Sequence, residues 1–318
     1  MEIEIQHRNI NLDFLKVICA FLVIVAHFGS QCPYFIKGIT PLAVPTFMIL
    51  SFYFLIQKIS TIDIEKRVFR ILIPLIGWSV IYSILYLFIL KRNITVYDFL
   101  WQSITGHSPK LNASMWFSSD LIALTLLIFI LYKYFKKYFF KIIFCLFCLS
   151  YLFEYSEINY MLFSDLRYEL KYPLGRLTEM IPFMVVGIFL GKYDILKCCK
   201  SRFILGWLIL FLFTQECIFF PSIKGFGYCG IKLILLAVLM ILFFSSIPQK
   251  RIFQKFVCVL GKNTMGIYCI HRLVEGFLHP YFGRTQNLSY CLLIFIISWL
   301  ICFGISKIPL KYIHYLVK

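Results

Sequence analysis

Asp13, Lys16 and His27 stand within or at the edge of the first apolar run of the chain, at the depth where an ionisable side chain needs a partner or a task. Lys16 and His27 are eleven residues apart, so on a helix they differ by about 20° around the axis. Asp13 falls within about 60° of Lys16 on the same stripe. One helix face therefore offers a carboxylate, a cation and an imidazole to the interior of a bundle. Lys16 and His27 are roughly 16 Å apart along that face. Such a face suits the handling of anionic groups at one end and of protons at the other. A second polar stripe comprises Gly261, Thr264, Tyr268, His271 and Glu275, whose steps of three and four put them on one face of a single helix.

Plainer readings exist for both stripes. Asp13 and Lys16 fit an interfacial i,i+3 ion pair, with Lys16 reaching to the headgroups. His27, followed by Phe28 and Gly29, fits an interfacial histidine. The second stripe fits packing of small and hydroxyl residues between helices, although a His and a Glu one turn apart exceed what packing requires.

The elements that hold these residues follow from composition. Hydrophobic residues make up 61% of 318 residues and charged residues 15%, with a mean hydropathy of +0.84. A soluble domain is nearer one quarter charged and cannot hide so much apolar surface. Apolar runs fall near 12–29, 42–57, 72–90, 116–132, 138–153, 180–191, 203–221, 228–247, 256–280 and 290–306. The expectation is an all-α transmembrane bundle of about ten spans forming a single domain over 1–318. The short runs 42–57 and 180–191 carry Pro45 and Pro182, as expected of helices that line a cavity.

With the N-terminus inside, the cytoplasmic segments carry 19 Lys and Arg and the outer ones 9, which predicts both termini inside and an even number of spans. The longest outer loops are then 91–115 and 154–179; the second is the most polar stretch, with Glu154, Glu157, Asp165, Arg167, Glu169, Lys171, Arg176 and Glu179. The net charge of +17 has the same origin, and no groove-reading motif points to nucleic acid. The twelve cysteines, including the Cys145–Cys148 pair and adjacent Cys198 and Cys199, read as apolar filler, and no metal site is expected. Sequons at Asn93, Asn112 and Asn287 carry no weight without a known compartment. The first run, with its charges and the spans that follow, is not a cleaved signal peptide.

Five segments carry a family resemblance. Asn11–Ser30 (NLDFLKVICAFLVIVAHFGS) resembles the opening motif of the acyltransferase 3 family of membrane O-acyltransferases, with Asp13, Lys16 and His27 at the family's Asp, Arg and His. Val44–Leu55 (VPTFMILSFYFL) resembles its Pro-Phe-Phe-x-x-Ser-Gly segment, with Ser51 at the serine. Lys66–Pro74 (KRVFRILIP), with Arg67 and Arg70, resembles its basic loop, and Met115–Leu121 (MWFSSDL), with Trp116 and Asp120, its Trp-Phe/Tyr segment. Leu260–His271 (LGKNTMGIYCIH) resembles its closing Tyr-x-x-His element. The series runs in the family's order through nearly the whole chain. Two positions depart from it: Lys16 stands for an Arg, exchanging a bidentate fork for a point charge, and Phe52 stands for a Gly.

The resemblance implies transfer of an acyl group, commonly acetyl, from cytoplasmic acyl-CoA to a carbohydrate hydroxyl, in a multi-pass cell-membrane protein. Lys16, Arg67 and Arg70 would hold the donor's phosphates. His27 would act as general base or be transiently acylated; the sequence does not separate these. Asp13, roughly 21 Å along the helix, cannot orient His27, so the orienting group comes from another helix, with Glu275, Tyr268, Asp120 and Glu179 as candidates. Some relatives carry an extra esterase-like domain. Without one, the bundle is expected to complete the transfer or pass the acyl group to a separate protein. The rival readings are a carrier using His27, His271 and Glu275 as a proton relay, and a non-catalytic partner of a polysaccharide export complex.

Overall fold

The computed structural model describes residues 9–89, 91, 93–107, 111, 114–155, 168–198, 201–219, 231–247, 251–282, 285–308 and 316–317. Glu157, Asp165, Arg167, Asn112 and Cys199 lie outside the described residues. In chain order the helices are α1 (Ile10–Phe28), α2 (Tyr34–Ile39), a 3₁₀ turn (Thr40–Leu42), α3 (Ala43–Ile56), α4 (Ile64–Phe88), α5 (Val96–Thr105), α6 (Trp116–Tyr134) and α7 (Phe139–Tyr155). They continue with α8 (Tyr168–Lys192), α9 (Ile195–Cys198), α10 (Arg202–Phe219), α11 (Ile231–Ser246), α12 (Arg251–Lys262), α13 (Thr264–Phe282) and α14 (Leu288–Ile305). No strand occurs among the described residues.

Among the described residues, six helical segments are long and apolar enough to cross a membrane: Ile10–Phe28, Tyr34–Ile56, Ile64–Phe88, Trp116–Tyr134, Pro173–Lys192 and Leu288–Ile305. Phe139–Leu152 and Ile231–Ser246 are apolar but shorter. Three expectations need correction. The run 42–57 is extended upstream by α2 and the 3₁₀ turn, giving 23 residues over Tyr34–Ile56. The run 180–191 is only part of α8, which begins at Tyr168, so residues 168–179 are helix and not loop. The loop 91–115 holds α5, closed at its start by a capping box between Thr95 and Asp98 and at its end by Gly106 at φ +63°.

The fourth correction bears on the site. The run 256–280 is two helices, α12 and α13, separated at Asn263. Gly261, Asn263 and Thr264 are poor helix formers, and the Thr264 hydroxyl donates to the Gly261 carbonyl at 3.2 Å, competing with the backbone ladder. Gly261 therefore does not share a helix with Thr264, Tyr268, His271 and Glu275. It faces α1 instead, where a Cβ at Gly261 would come 2.9 Å from that of Asp13.

The chain folds as two compact units: Met1–Phe47 with Ile195–Lys224 and Leu235–Lys318, and Met48–Asp194 with Gly225–Ile234. In the first, α1 packs against α12, α13, α14 and the 3₁₀ turn. The apolar window of α1 is 61% buried, against 28% for α14, so α1 is the central helix and α14 a peripheral one. Asn9 caps α1 at its start, accepting from the Asn11 and Leu12 N–H groups. Gly29 ends it, its N–H donating to the Val25 carbonyl at 2.8 Å. Beyond that end the Ser30 hydroxyl donates to Gln286 Oε1, and the Gln31 N–H donates to the Gln286 carbonyl. Nearby helix ends expose Tyr34, Phe35, Tyr281 and Phe282, an aromatic rim of the kind found at membrane–water interfaces.

In the second unit, α4 packs on α5 and α6, and α8 on α6 and α7. Gly187 and Gly191, one turn apart on α8, lie against the part of α3 in this unit, where a Cβ would meet the Ile49 and Tyr53 carbonyl oxygens respectively. Phe52, at the position where the family pattern has Gly, is fully buried beside Gly187. Close backbone approach is thus provided by glycines on the facing helix. Below this contact, the Tyr53 hydroxyl and the Gln57 amide both donate to Asp194 Oδ1.

Candidate active site

His27 occupies the last turn of α1 and is half-buried. Arg272, on α13, places Nη2 3.2 Å from His27 Nδ1. A guanidinium can only donate, so Nδ1 accepts and the proton of the neutral ring sits on Nε2. The imidazole of His271 stacks beside that of His27, with centroids 5.5 Å apart and planes 16° from parallel. His271 Nδ1 lies 2.7 Å from the Tyr268 carbonyl oxygen, which can only accept, so the His271 proton is on Nδ1. Its Nε2 is buried and has no hydrogen-bond partner. Two imidazoles of opposite tautomer and one permanent cation thus form a compact group, with Phe28 against both His271 and Arg272.

The sequence requires an orienting group from another helix, and the group within hydrogen-bond distance of His27 is Arg272. Glu275 instead pairs with His279, Oε1 to Nδ1 at 2.9 Å, on the more exposed side of α13. Tyr268 meets His271 through its carbonyl and, at 6.1 Å, its ring. Arg272 carries a signal in the sequence: it is a cation among apolar residues immediately after His271.

At the other end of α1, Lys16 Nζ and Asp13 Oδ1 form the i,i+3 ion pair at 3.2 Å. Asp13 is 2% exposed and Lys16 26%, so the carboxylate is enclosed by α12 while the ammonium reaches outward. Lys16 and His27 belong to one unbroken helix, so the rise between them stands at roughly 16 Å.

The remaining predicted site residues lie in the second unit and form two clusters. Arg67, in the first turns of α4, donates through Nη2 to the Ser51 hydroxyl at 2.9 Å and to its carbonyl at 3.2 Å. Arg70, one turn on, is exposed. Asp63 caps the same helix and pairs with Lys66, which holds the Asp63 carboxyl below the usual carboxylate range. The other cluster joins α6 and α8. The Arg176 guanidinium lies over the Trp116 ring, 4.5 Å from its centroid, and close enough to act on the charge of Asp120. Glu179 is half-buried one turn from Arg176. Arg176, expected in an outer loop, lies within α8 and is 6% exposed.

The acyltransferase 3 family model, described as an acyltransferase domain, matches residues 9–307. No curated protein matches the chain, and no solved structure does. The match covers both stripes, the basic turn of α4 and all six candidate spans, so it takes in the His27 cluster together with the helices that carry it. The chain belongs to the acyltransferase 3 family and is a membrane acyltransferase.

Proposed function

We propose that the protein moves an acyl group, acetyl in the first instance, from acyl-CoA to a hydroxyl of a cell-surface or lipid-linked carbohydrate. His27 is the proton acceptor for that hydroxyl. The observation that carries this reading is the environment of His27: a half-buried imidazole at the end of a central helix, bonded to a permanent cation and backed by a second imidazole. A histidine serving only as filler would face apolar neighbours.

Positive charge for the anionic donor comes from Arg67 and Arg70, one turn apart on α4. The exposed Arg70 beside an Arg67 anchored on Ser51 suits phosphate oxygens, because one guanidinium is already oriented and the other is free to close. The Lys and Arg distribution supports about ten spans in a cell membrane, with both termini in the cytoplasm.

The test is a coupled assay on the purified full chain in detergent, with acetyl-CoA as donor and surface polysaccharide as acceptor. Thiol release that depends on the polysaccharide, with alkali-labile acetate appearing on it, is the expected result. Absence of both, with uptake of a solute in proteoliposomes, identifies a carrier instead. In the same assay Arg67→Ala is expected to raise the KM for acetyl-CoA about tenfold, the loss of one charge-assisted phosphate contact. An unchanged KM removes Arg67 from the donor site.

A further inference from the structure

We propose that Arg272 is a second catalytic residue that exchanges partners during turnover. It caps His27 Nδ1 and passes to the carbonyl oxygen of the acyl thioester when the substrates are bound. The inference rests on the acyltransferase reading with His27 as proton acceptor, and deepens it.

The need for exchange follows from donor and acceptor chemistry. Imidazole Nδ1 has one lone pair, and Arg272 Nη2 occupies it at 3.2 Å. His27 cannot take the acceptor's proton there until the guanidinium leaves. Using Nε2 instead would require the ring proton to sit on Nδ1, where N–H would face N–H. Proton abstraction at either nitrogen therefore demands that Arg272 move. With Arg272 on Nδ1 the base is covered.

Arg272 is built to leave. Its Nε is buried with no hydrogen-bond partner, so the guanidinium is not anchored from behind. Glu275, one turn on, is engaged by His279. The Phe28 ring, 5.9 Å from the guanidinium carbon, is a weak hold. His271 differs: its ring is fixed by the Tyr268 carbonyl and stacks on His27, so it keeps the His27 plane in place while Arg272 moves. His271 is a positioning residue in this scheme.

The destination is set by reach. An acceptor hydroxyl bonded to Nδ1 puts its oxygen about where Nη2 now sits, and the attacked carbonyl lies about 3 Å beyond. The displaced guanidinium then needs only a side-chain rotation to meet the carbonyl oxygen, where negative charge develops. The acceptor O–H bond breaks and its proton passes to Nδ1. A C–O bond forms while the carbonyl π pair moves to the oxygen held by Arg272. On collapse the C–S bond breaks and the sulfur takes the proton from His27. Thioester and alcohol become ester and thiol, and water meets no uncovered base when the acceptor is absent.

The experiment uses the purified full chain and cells expressing it. Diethylpyrocarbonate, which reacts at an imidazole lone pair, should label His27 slowly in the empty wild-type protein. In Arg272→Gln the labelling should be about tenfold faster, mapped by peptide mass spectrometry. The same variant should lower alkali-labile acetate on surface polysaccharide about 100-fold, with normal protein level and normal gel-filtration behaviour. Arg272→Lys, which keeps the charge and can still cap Nδ1, should leave His27 shielded yet lose about tenfold in acetylation, because it lacks the fork. Equal labelling of His27 in wild type and Arg272→Gln, wild-type acetylation in Arg272→Gln, or loss of folded protein in both variants overturns the proposal. Acetylation that survives His27→Ala would instead strike the underlying reading, so the two failures are distinguishable.

Discussion

Cells carrying His27→Ala should lose surface acetylation by about 10³-fold, the range for removal of a general base. The loss should occur at unchanged protein level, because the fold of α1 does not depend on the ring. The helix is capped by Asn9 and closed by Gly29, and its apolar residues, not His27, fill the core of the first unit. His27→Gln sharpens the test. A glutamine carbonyl can still accept from Arg272, so the local hydrogen bond is kept, but an amide cannot take a proton at neutral pH. If His27 only anchors Arg272, the Gln variant retains activity; if it accepts the proton, Gln is as inactive as Ala. Mass spectrometry of released polysaccharide, with immunoblotting of the membrane fraction, reads both. Wild-type acetylation in either variant would remove His27 from the chemistry.

The second large effect is structural. Gly187→Val combined with Gly191→Val is expected to destabilise the protein by roughly 2 to 6 kcal/mol, the sum of two overpacking penalties. The new Cβ atoms would press on the Ile49 and Tyr53 carbonyl oxygens, which are backbone and cannot swing aside as a side chain can. α8 and α3 would have to separate, taking with them the Tyr53 hydrogen bond to Asp194 and the seat of Ser51 that holds Arg67. The thermal midpoint in detergent should fall by about 10 °C. Gly304→Ala is the control, since no atom lies within 4 Å of a Cβ there. Its midpoint should not fall. A double variant that melts with wild type would show that α8 and α3 tolerate separation.

How far the sequence carries can be judged from particular residues. The helical class was legible because apolar runs in lipid have few alternatives, and the family because its motifs stand in order from Asp13 to His271. The Asp13–Lys16 pair was legible from spacing alone. The start of α8 at Tyr168 was hidden by Glu169, Lys171 and Pro173, which read as a polar loop until Arg176 is seen inside, over Trp116. The break at Asn263 was hidden because steps of three and four continue in register across it; periodicity records side-chain order, not whether a hydroxyl has taken a backbone carbonyl. The partnership of Arg272 with His27 joins residues far apart in the chain, and no local pattern encodes which of several intramembrane charges meets which.

The rim of Tyr34, Phe35, Tyr281 and Phe282 has a consequence for the kind of molecule the site can accept. Aromatic side chains of this type settle at the headgroup layer, and with the exposed rim there the end of α1 that bears His27 would meet partial rather than absent hydration. A sugar stripped of water in hydrocarbon would lose several kcal/mol for each uncompensated hydroxyl. At the headgroup level it can keep most of its hydration shell and surrender water only at the hydroxyl that reacts. If the acceptor is the proposed glycan, it would be modified without being drawn into the bilayer.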